Sequence, residues 1–291
     1  MSPVINISLD RTRKRQEELL RRRHELASST GLLAIRQADP VDVTDADLDL
    51  AGQIQRQFQP RSFQRFGDFE IGSAVLPCGT VCGDIVDVTT FGRHYLSFWL
   101  ADATGHGVAA AMLAAHLQPQ LRRVAWDGKR HRPRRPDRTL ALLNKVLLAH
   151  QPGEPVFVAA IYCLVDLRSG RVTLARGGTP APMLVRGDAA VEPVLSAGRL
   201  VGIEPASRFE SVDLDLLPGE SLVFWSDGLE RLIDREQAVR PGESAESAFD
   251  FEAIRDGRMA QALDQLRHRW WDARTTGVCE DDISVIVLRR R

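Results

Sequence analysis

Cysteine is scarce in this chain: four residues in 291 are too few for a disulfide framework, and free thiols in a reducing compartment are the simpler reading. Long apolar runs are missing as well. No stretch approaches the ~20 residues needed to span a bilayer. The opening residues Met1-Ser2-Pro3-Val4-Ile5 lack the charged start and apolar stretch of a signal peptide. The expectation is a cytoplasmic protein without a membrane partner. An excess of one charge is also absent: 38 Lys and Arg stand against 39 Asp and Glu, a net charge of −1, so no global field favours nucleic acid. No internal repeat is visible, and no Cys/His or Ser/His arrangement argues for a side-chain nucleophile.

What is present is an ordinary globular balance, 44% apolar and 26% charged, in a length that suits one large domain with an appendage, or two small ones. The charges are uneven. Cations crowd residues 11–23 and 129–138, and acids dominate 42–49. Residues 11–27 are rich in helix formers with a narrow stripe of Leu19, Leu20 and Leu26, which reads as a solvated helix or a short coiled-coil arm. A Ser-Ser-Thr-Gly break follows at 28–31. A second helix begins near Thr44, where Thr44 and Asp47 have the spacing of a capping box. Leu50, Ile54 and Phe58 recur every four residues, which predicts one buried face, and Pro60 ends the run. The expected organisation is an N-terminal helical arm or linker over 1–43, then one domain over 44–291 that includes its leading helix (44–59).

From residue 69 the pattern turns to strands. Segments 69–77, 94–102, 157–167, 170–178, 210–218, 220–228 and 282–288 are rich in β-branched and aromatic residues and bounded by Gly, Pro or Asp. Residues 167–171 read as a hairpin turn. Helical patterns cover 107–117, 139–150 and 245–272. Strands in runs with helices grouped between them predict an α+β layered sandwich: two mainly antiparallel β-sheets flanked by α-helices.

Four aspartates fall where these strands meet turns: Asp84, Asp102, Asp227 and Asp281. Taken singly, each reads equally as a turn residue accepting from backbone amides. Taken together, carboxylates from the ends of neighbouring strands would converge on one edge and repel unless cations intervene. Oxygen-only ligation selects hard ions such as Mg²⁺ or Mn²⁺ over zinc, and a two-metal cluster would satisfy the set.

The motifs carry a more specific resemblance. IQRQFQP at 54–60, CGDIVD at 82–87, DATGHG at 102–107, GTPAP at 178–182, SDG at 226–228 and DDIS at 281–284 resemble, in order, the motifs of the PPM (PP2C-like) phosphatase superfamily. The likeness is to the bacterial branch of stage II sporulation phosphatase E and the partner-switching stress phosphatases, and it extends over about residues 46–291. The resemblance implies a PP2C-like sandwich and a metal-dependent protein serine/threonine phosphatase, acting on a phosphoserine or phosphothreonine by attack of a metal-bridging water. It implies two divalent cations, Mn²⁺ or Mg²⁺. They would be held by Asp84, Asp102, the Ala103 backbone carbonyl, Asp227 and Asp281, with Asp87 and Asp282 in supporting or structural roles. The implied substrate is a small anti-sigma-factor antagonist. A homodimer through the N-terminal helices is a further candidate. Two positions depart from the branch pattern, Cys82 for a glycine and Thr179 for a histidine. They keep a second reading open, a pseudophosphatase that binds a regulatory partner without turnover.

Other residues have two readings each. His106 is a candidate proton donor or a residue that fixes the turn, and Gly105 and Gly107 serve tight backbone geometry. Cys78 and Cys82 are either inert thiols or a switch beside the site. The basic stretch 127–138 reads as a solvated loop or a dock for an acidic or phosphorylated partner. The helix 107–117 is apolar nearly all round, so it is expected to be buried or covered and, starting directly after Asp102, to transmit movement of the 46–58 helix to the site.

Overall fold

The structure, a computed structural model, describes residues 44–105, 107–149, 155–187, 191–239 and 249–291. The helix expected over 11–27 and the side chain of His106 fall outside them. In chain order the strands are β1 (Phe63–Phe66), β2 (Phe69–Leu76), β3 (Asp84–Phe91), β4 (Tyr95–Ala103), β5 (Trp126–Asp127), β6 (Arg132–Pro133), β7 (Val158–Asp166), β8 (Arg171–Gly177), β9 (Met183–Val185), β10 (Val191–Pro193), β11 (Val212–Asp215), β12 (Ser221–Trp225) and β13 (Ile283–Arg290). The helices are α1 (Asp45–Phe58), α2 (Gly107–Ala125), α3 (Pro136–Ala149), α4 (Asp227–Val239), α5 (Phe251–Arg255) and α6 (Met259–Thr275).

Two large antiparallel sheets result, beside the two-stranded ribbon β5-β6. One has the order β1-β2-β13-β12-β9-β10 and the other β11-β8-β7-β4-β3. Alternation along each strand sends one set of side chains between the sheets and the other outward. Phe98 and Leu100 of β4, Ile161 and Cys163 of β7, and Ile286 and Leu288 of β13 fill the interior, where Phe98 meets Phe224 edge-on at 4.9 Å. Trp99 and Ala101 point the other way, under α2 and α3, and Trp99 stacks on its cross-strand neighbour Tyr162 at 4.4 Å. Val285 and Val287 pack outward against α4, α5 and α6. The order of layers is thus helix, sheet, sheet, helix. Burial on both faces explains why the central strands read as near-continuous apolar runs.

The sandwich and the 167–171 hairpin turn agree with expectation, and several local features do not. The capping box at Thr44 forms, with Asp47 N–H donating to Thr44 Oγ1 at 3.2 Å and Thr44 N–H to Asp47 Oδ2 at 3.0 Å. The row Leu50, Ile54 and Phe58, however, is 57%, 46% and 54% exposed, and Gly52 is the only buried residue of α1. The helix lies down on its glycine face: a Cβ at Gly52 would come within 2.4 Å of the Thr80 carbonyl oxygen. Periodicity located a stripe but could not say which side docks. Helix α2 runs on to Ala125 through Pro119, because Leu117, Leu121 and Val124 continue its buried face over the sheet. That packing outweighs the ~3 kcal/mol cost of an interior proline. Its other face is open, with Val108 51% and Met112 67% exposed, so the helix is not covered all round. The strand expected over 220–228 stops at Trp225, and Asp227-Gly228 opens α4 instead. Within 245–272 the described residues form two helices, parted at Gly257, where φ is +78°.

Candidate functional site

The carboxylates gather at one end of the sandwich because of strand register. Asp84 and Asp102 are Cα partners across the β3–β4 pair, so their side chains share one side of the sheet. Asp227 is the first residue of α4, just beyond the end of β12, and Asp281 lies just before β13, the strand that pairs with β12. Two sheets therefore contribute two acids each.

Asp84 is buried. Its Oδ2 accepts from Ser226 Oγ at 2.9 Å, whereas its Oδ1 has no hydrogen-bond partner. A buried, unpaired carboxylate oxygen is costly and points to something that completes it. Burial, then the charges of Asp102 and Asp282, push its carboxyl well above the usual carboxylate range. Asp102 is pushed up to about 8 by burial and by Asp227, Asp281 and Asp282, with Arg231 working in the opposite direction. Burial and Asp227 likewise raise Asp281. Three of the four acids thus resist ionisation in the metal-free fold.

Arg231, one turn into α4, holds the remaining balance. Its Nη2 donates to Asp227 Oδ2 at 2.9 Å and its Nη1 stands 3.3 Å from Asp281 Oδ2. Among the described residues no three Asp, Glu, His or Cys side chains stand close enough to close around an ion. The orphaned Asp84 oxygen and the all-oxygen donor set nonetheless fit hard divalent cations, with Asp227 and Asp281 spanned by a guanidinium. The Ala103 carbonyl oxygen faces the same loop, 3.6 Å from where a Cβ on Gly83 would sit.

The supporting residues separate cleanly. Asp282 accepts from Cys78 N–H at 2.7 Å and from Gly83 N–H at 2.6 Å, which holds the loop 78–83 against the start of β13. Asp87 turns away, pairing with Arg122 of α2 (Nε to Oδ1, 2.9 Å) and accepting from Thr89. Ser226 is the residue that sequence reasoning missed. It orients Asp84 while its Oγ also accepts from Ser284 N–H at 2.9 Å. The only hint was a hydroxyl directly before Asp227.

At Cys82 the backbone, not the thiol, matters. Gln55 of α1 donates to its carbonyl at 2.6 Å and accepts from its N–H at 2.8 Å, while burial pushes the thiol well above its ordinary range. Cys78 neighbours Cys279 across the loop instead, and burial pushes it up to about 12. Neither carries thiolate character at neutral pH. Thr179 is buried with its hydroxyl unpaired.

Asp282→Ala is expected to destabilise the fold by about 2 kcal/mol, the loss of two charge-assisted hydrogen bonds less the repulsion it relieves. Asp282→Asn should recover part of that. Urea unfolding midpoints measure both.

Two stacked antiparallel sheets with helices on both outer faces form a PP2C-like sandwich, with the acids gathered at its strand ends. The model of stage II sporulation protein E (SpoIIE) matches residues 92–291, more than half of the chain, and the chain belongs to that family. The match includes Asp102, Asp227 and Asp281, and Asp84 precedes it. Among curated proteins, IcfG of Synechocystis sp. is 23% identical over 208 residues, 64% of this chain and 33% of that protein. Phosphoserine phosphatase RsbP of Bacillus subtilis is 23% identical over 190 residues, 64% of this chain and 45% of that protein. The chain thus spans less than half the length of these relatives. Among solved structures, the PP2C domain of SiaA from Pseudomonas aeruginosa superposes with a TM-score of 0.61 at 18% identity, over 84% of this chain and 96% of that one. No helix among the described residues is long and apolar enough to cross a membrane.

Proposed function

We propose that the acidic end of the sandwich is the active centre of a metal-dependent protein phosphatase that removes phosphate from serine or threonine on a regulatory protein. The observation that carries the reading is the buried, unpartnered Oδ1 of Asp84, on a carboxyl that the charges of Asp102 and Asp282 repel. Asp84, Asp102, Asp227, Asp281 and the Ala103 carbonyl would hold two divalent cations, Mg²⁺ or Mn²⁺. When bound, these supply activation of water and compensation of charge on the phosphoryl group. The chain's own residues do the rest. Ser226 fixes the Asp84 carboxylate, Asp282 fixes the loop that delivers it, and Gln55 ties that loop to α1. By kinship with partner-switching proteins, the substrate is a small anti-sigma-factor antagonist. The exposed row Leu50, Ile54 and Phe58 supports a homodimer through the N-terminal helices.

A second reading has an observation of its own. The guanidinium of Arg231 spans two of the acids, which favours a pseudophosphatase that binds its partner without turnover. Assaying a phosphoserine peptide and an aryl phosphate with and without Mn²⁺ separates the readings. Cation-dependent release from the peptide supports the phosphatase, and release from neither substrate supports the pseudophosphatase.

Arg231→Met is expected to tighten Mn²⁺ binding about fivefold, since a half-exposed ion pair contributes ~1 kcal/mol. Calorimetric titration of the metal-free chain measures it. A pH effect follows from Asp102. Its folded carboxyl titrates at about 8 against an ordinary value of 3.8, so the unfolded chain gives up its proton first. Between about pH 4 and 8 the metal-free fold therefore loses stability as pH rises. A cation that neutralises the cluster should raise the melting temperature more at pH 8 than at pH 6. Thermal scans with Mn²⁺ or a chelator check this.

A further inference from the structure

The basic stretch 127–138 is not a loose loop. Strands β5 and β6 pair as a short ribbon, reversing through residues 128–131 with His131 at a φ of +50°. Arg134 pins it: Nε donates to the Val124 carbonyl at 3.1 Å, Nη2 to the Trp126 carbonyl at 3.2 Å, and Nη1 pairs with Asp127 at 3.3 Å. The ribbon and the first turn of α3 wall a cleft of 850 Å³, whose floor includes Tyr95 of β4 and Leu164 of β7. Six cations line it against the single acid Asp127. Arg135 pairs with Asp213, and Arg130 stands 3.9 Å from Asp127. Lys129, Arg132 and Arg138 have no carboxylate partner among the described residues.

The cleft lies at the far end of the layer from the aspartates. Tyr95 is seven residues from Asp102 along β4, a span of ~23 Å, and α2 covers ~28 Å between the two ends. It therefore does not belong to the acidic site.

Like charges held around a concavity repel, and a fold that orders them supplies a standing attraction for an anion. Five arginines in that set favour planar carboxylate or phosphate groups, which they bind bidentately. The volume suits a short segment. The chain as a whole carries a net charge of −1, so a polyanion extending past the cleft gains nothing further, which disfavours nucleic acid. Concavity disfavours a membrane surface. Tyr95 and Leu164 add apolar contact that a protein segment uses. We propose that this cleft docks an acidic segment of a protein partner. The proposal does not depend on the phosphatase reading or on cations at the other end.

A fluorescein-labelled octaglutamate peptide tests it by anisotropy with the full chain in 50 mM and 300 mM NaCl. Expected are saturable 1:1 binding at low salt, at least about tenfold weakening at high salt, and a similar loss in Lys129→Glu/Arg132→Glu/Arg138→Glu. All three side chains are exposed, so the triple variant should keep its melting temperature. Arg61→Glu/Arg208→Glu, exposed elsewhere, should bind as the parent does. Absence of saturable binding at low salt overturns the proposal. So does binding that survives in the triple variant, as docking on the cations of residues 11–23 would give. Tighter binding of an octathymidylate or of phosphatidylserine vesicles than of the peptide overturns it as well.

Discussion

Asp102→Asn is expected to lower phosphate release about a thousandfold while leaving the metal-free fold intact or firmer. The loss follows from removing a central acid of the cluster, since bound cations supply several kcal/mol of transition-state stabilisation. The gain follows from the same residue's electrostatics. Asp102 faces Asp227, Asp281 and Asp282 from a largely buried position, so its ionisation strains the fold. An amide of the same shape carries no charge. At pH 8 without metal the variant should therefore melt about 2 °C or more above the parent, equivalent to ~1 kcal/mol. Activity and stability then move in opposite directions. A residue with only a structural role would lower both, so paired assays of turnover and melting temperature discriminate the two.

Gly228→Ala is expected to be strongly damaging to both stability and cation binding. A Cβ at Gly228 would come within 2.0 Å of the Asp282 carbonyl oxygen and 3.4 Å of the Asp281 Cβ. The obstacle is backbone immediately before β13, the strand that pairs with β12, so no side-chain rotation relieves it. Relief requires α4 to withdraw from the start of β13, which draws Asp227 away from Asp281 and Ser226 away from Ser284. Overpacking of this kind costs about 3 kcal/mol or more. The variant should lose stability in urea and, under conditions where it remains folded, lose cation binding. Retention of full cation affinity in a folded Gly228→Ala would show that the helix and strand are not held at this contact.

The fold was legible where burial writes itself into composition. Strands covered on both faces, such as β4 and β13, appear as dense apolar runs. Strand β3 escaped notice because Asp84 and Asp87 interrupt its run, one facing the acidic cluster and the other tied to Arg122. The partners of the acids were legible only in part. Motif order named Asp84, Asp102, Asp227 and Asp281. It could not reveal that Asp84 sits opposite Asp102, because register is a property of pairing between strands. The same limit hid Ser226 and Arg231, whose roles come from where a helix start meets a strand start. At α1 the four-residue rhythm of Leu50, Ile54 and Phe58 suggested a buried face. The docked side is instead the one with Gly52 and Gln55, where backbone approach and two hydrogen bonds replace apolar contact. The basic stretch was legible as charge but not as shape: Arg134 bonds to carbonyls before and within the ribbon, which no composition discloses.

The chain belongs to the SpoIIE family, and its two-sheet sandwich gathers four aspartates at the strand ends, where we place the proposed chemistry. The four aspartates as cation ligands are the central claim, and manganese can be located directly. Crystals of the full chain grown with Mn²⁺ and measured at the manganese absorption edge should show two anomalous peaks among the carboxylates of Asp84, Asp102, Asp227 and Asp281, with Arg231 displaced from between the last two. A well-ordered map with Arg231 still bridging Asp227 and Asp281 and no anomalous peak beside Asp84 would contradict the account.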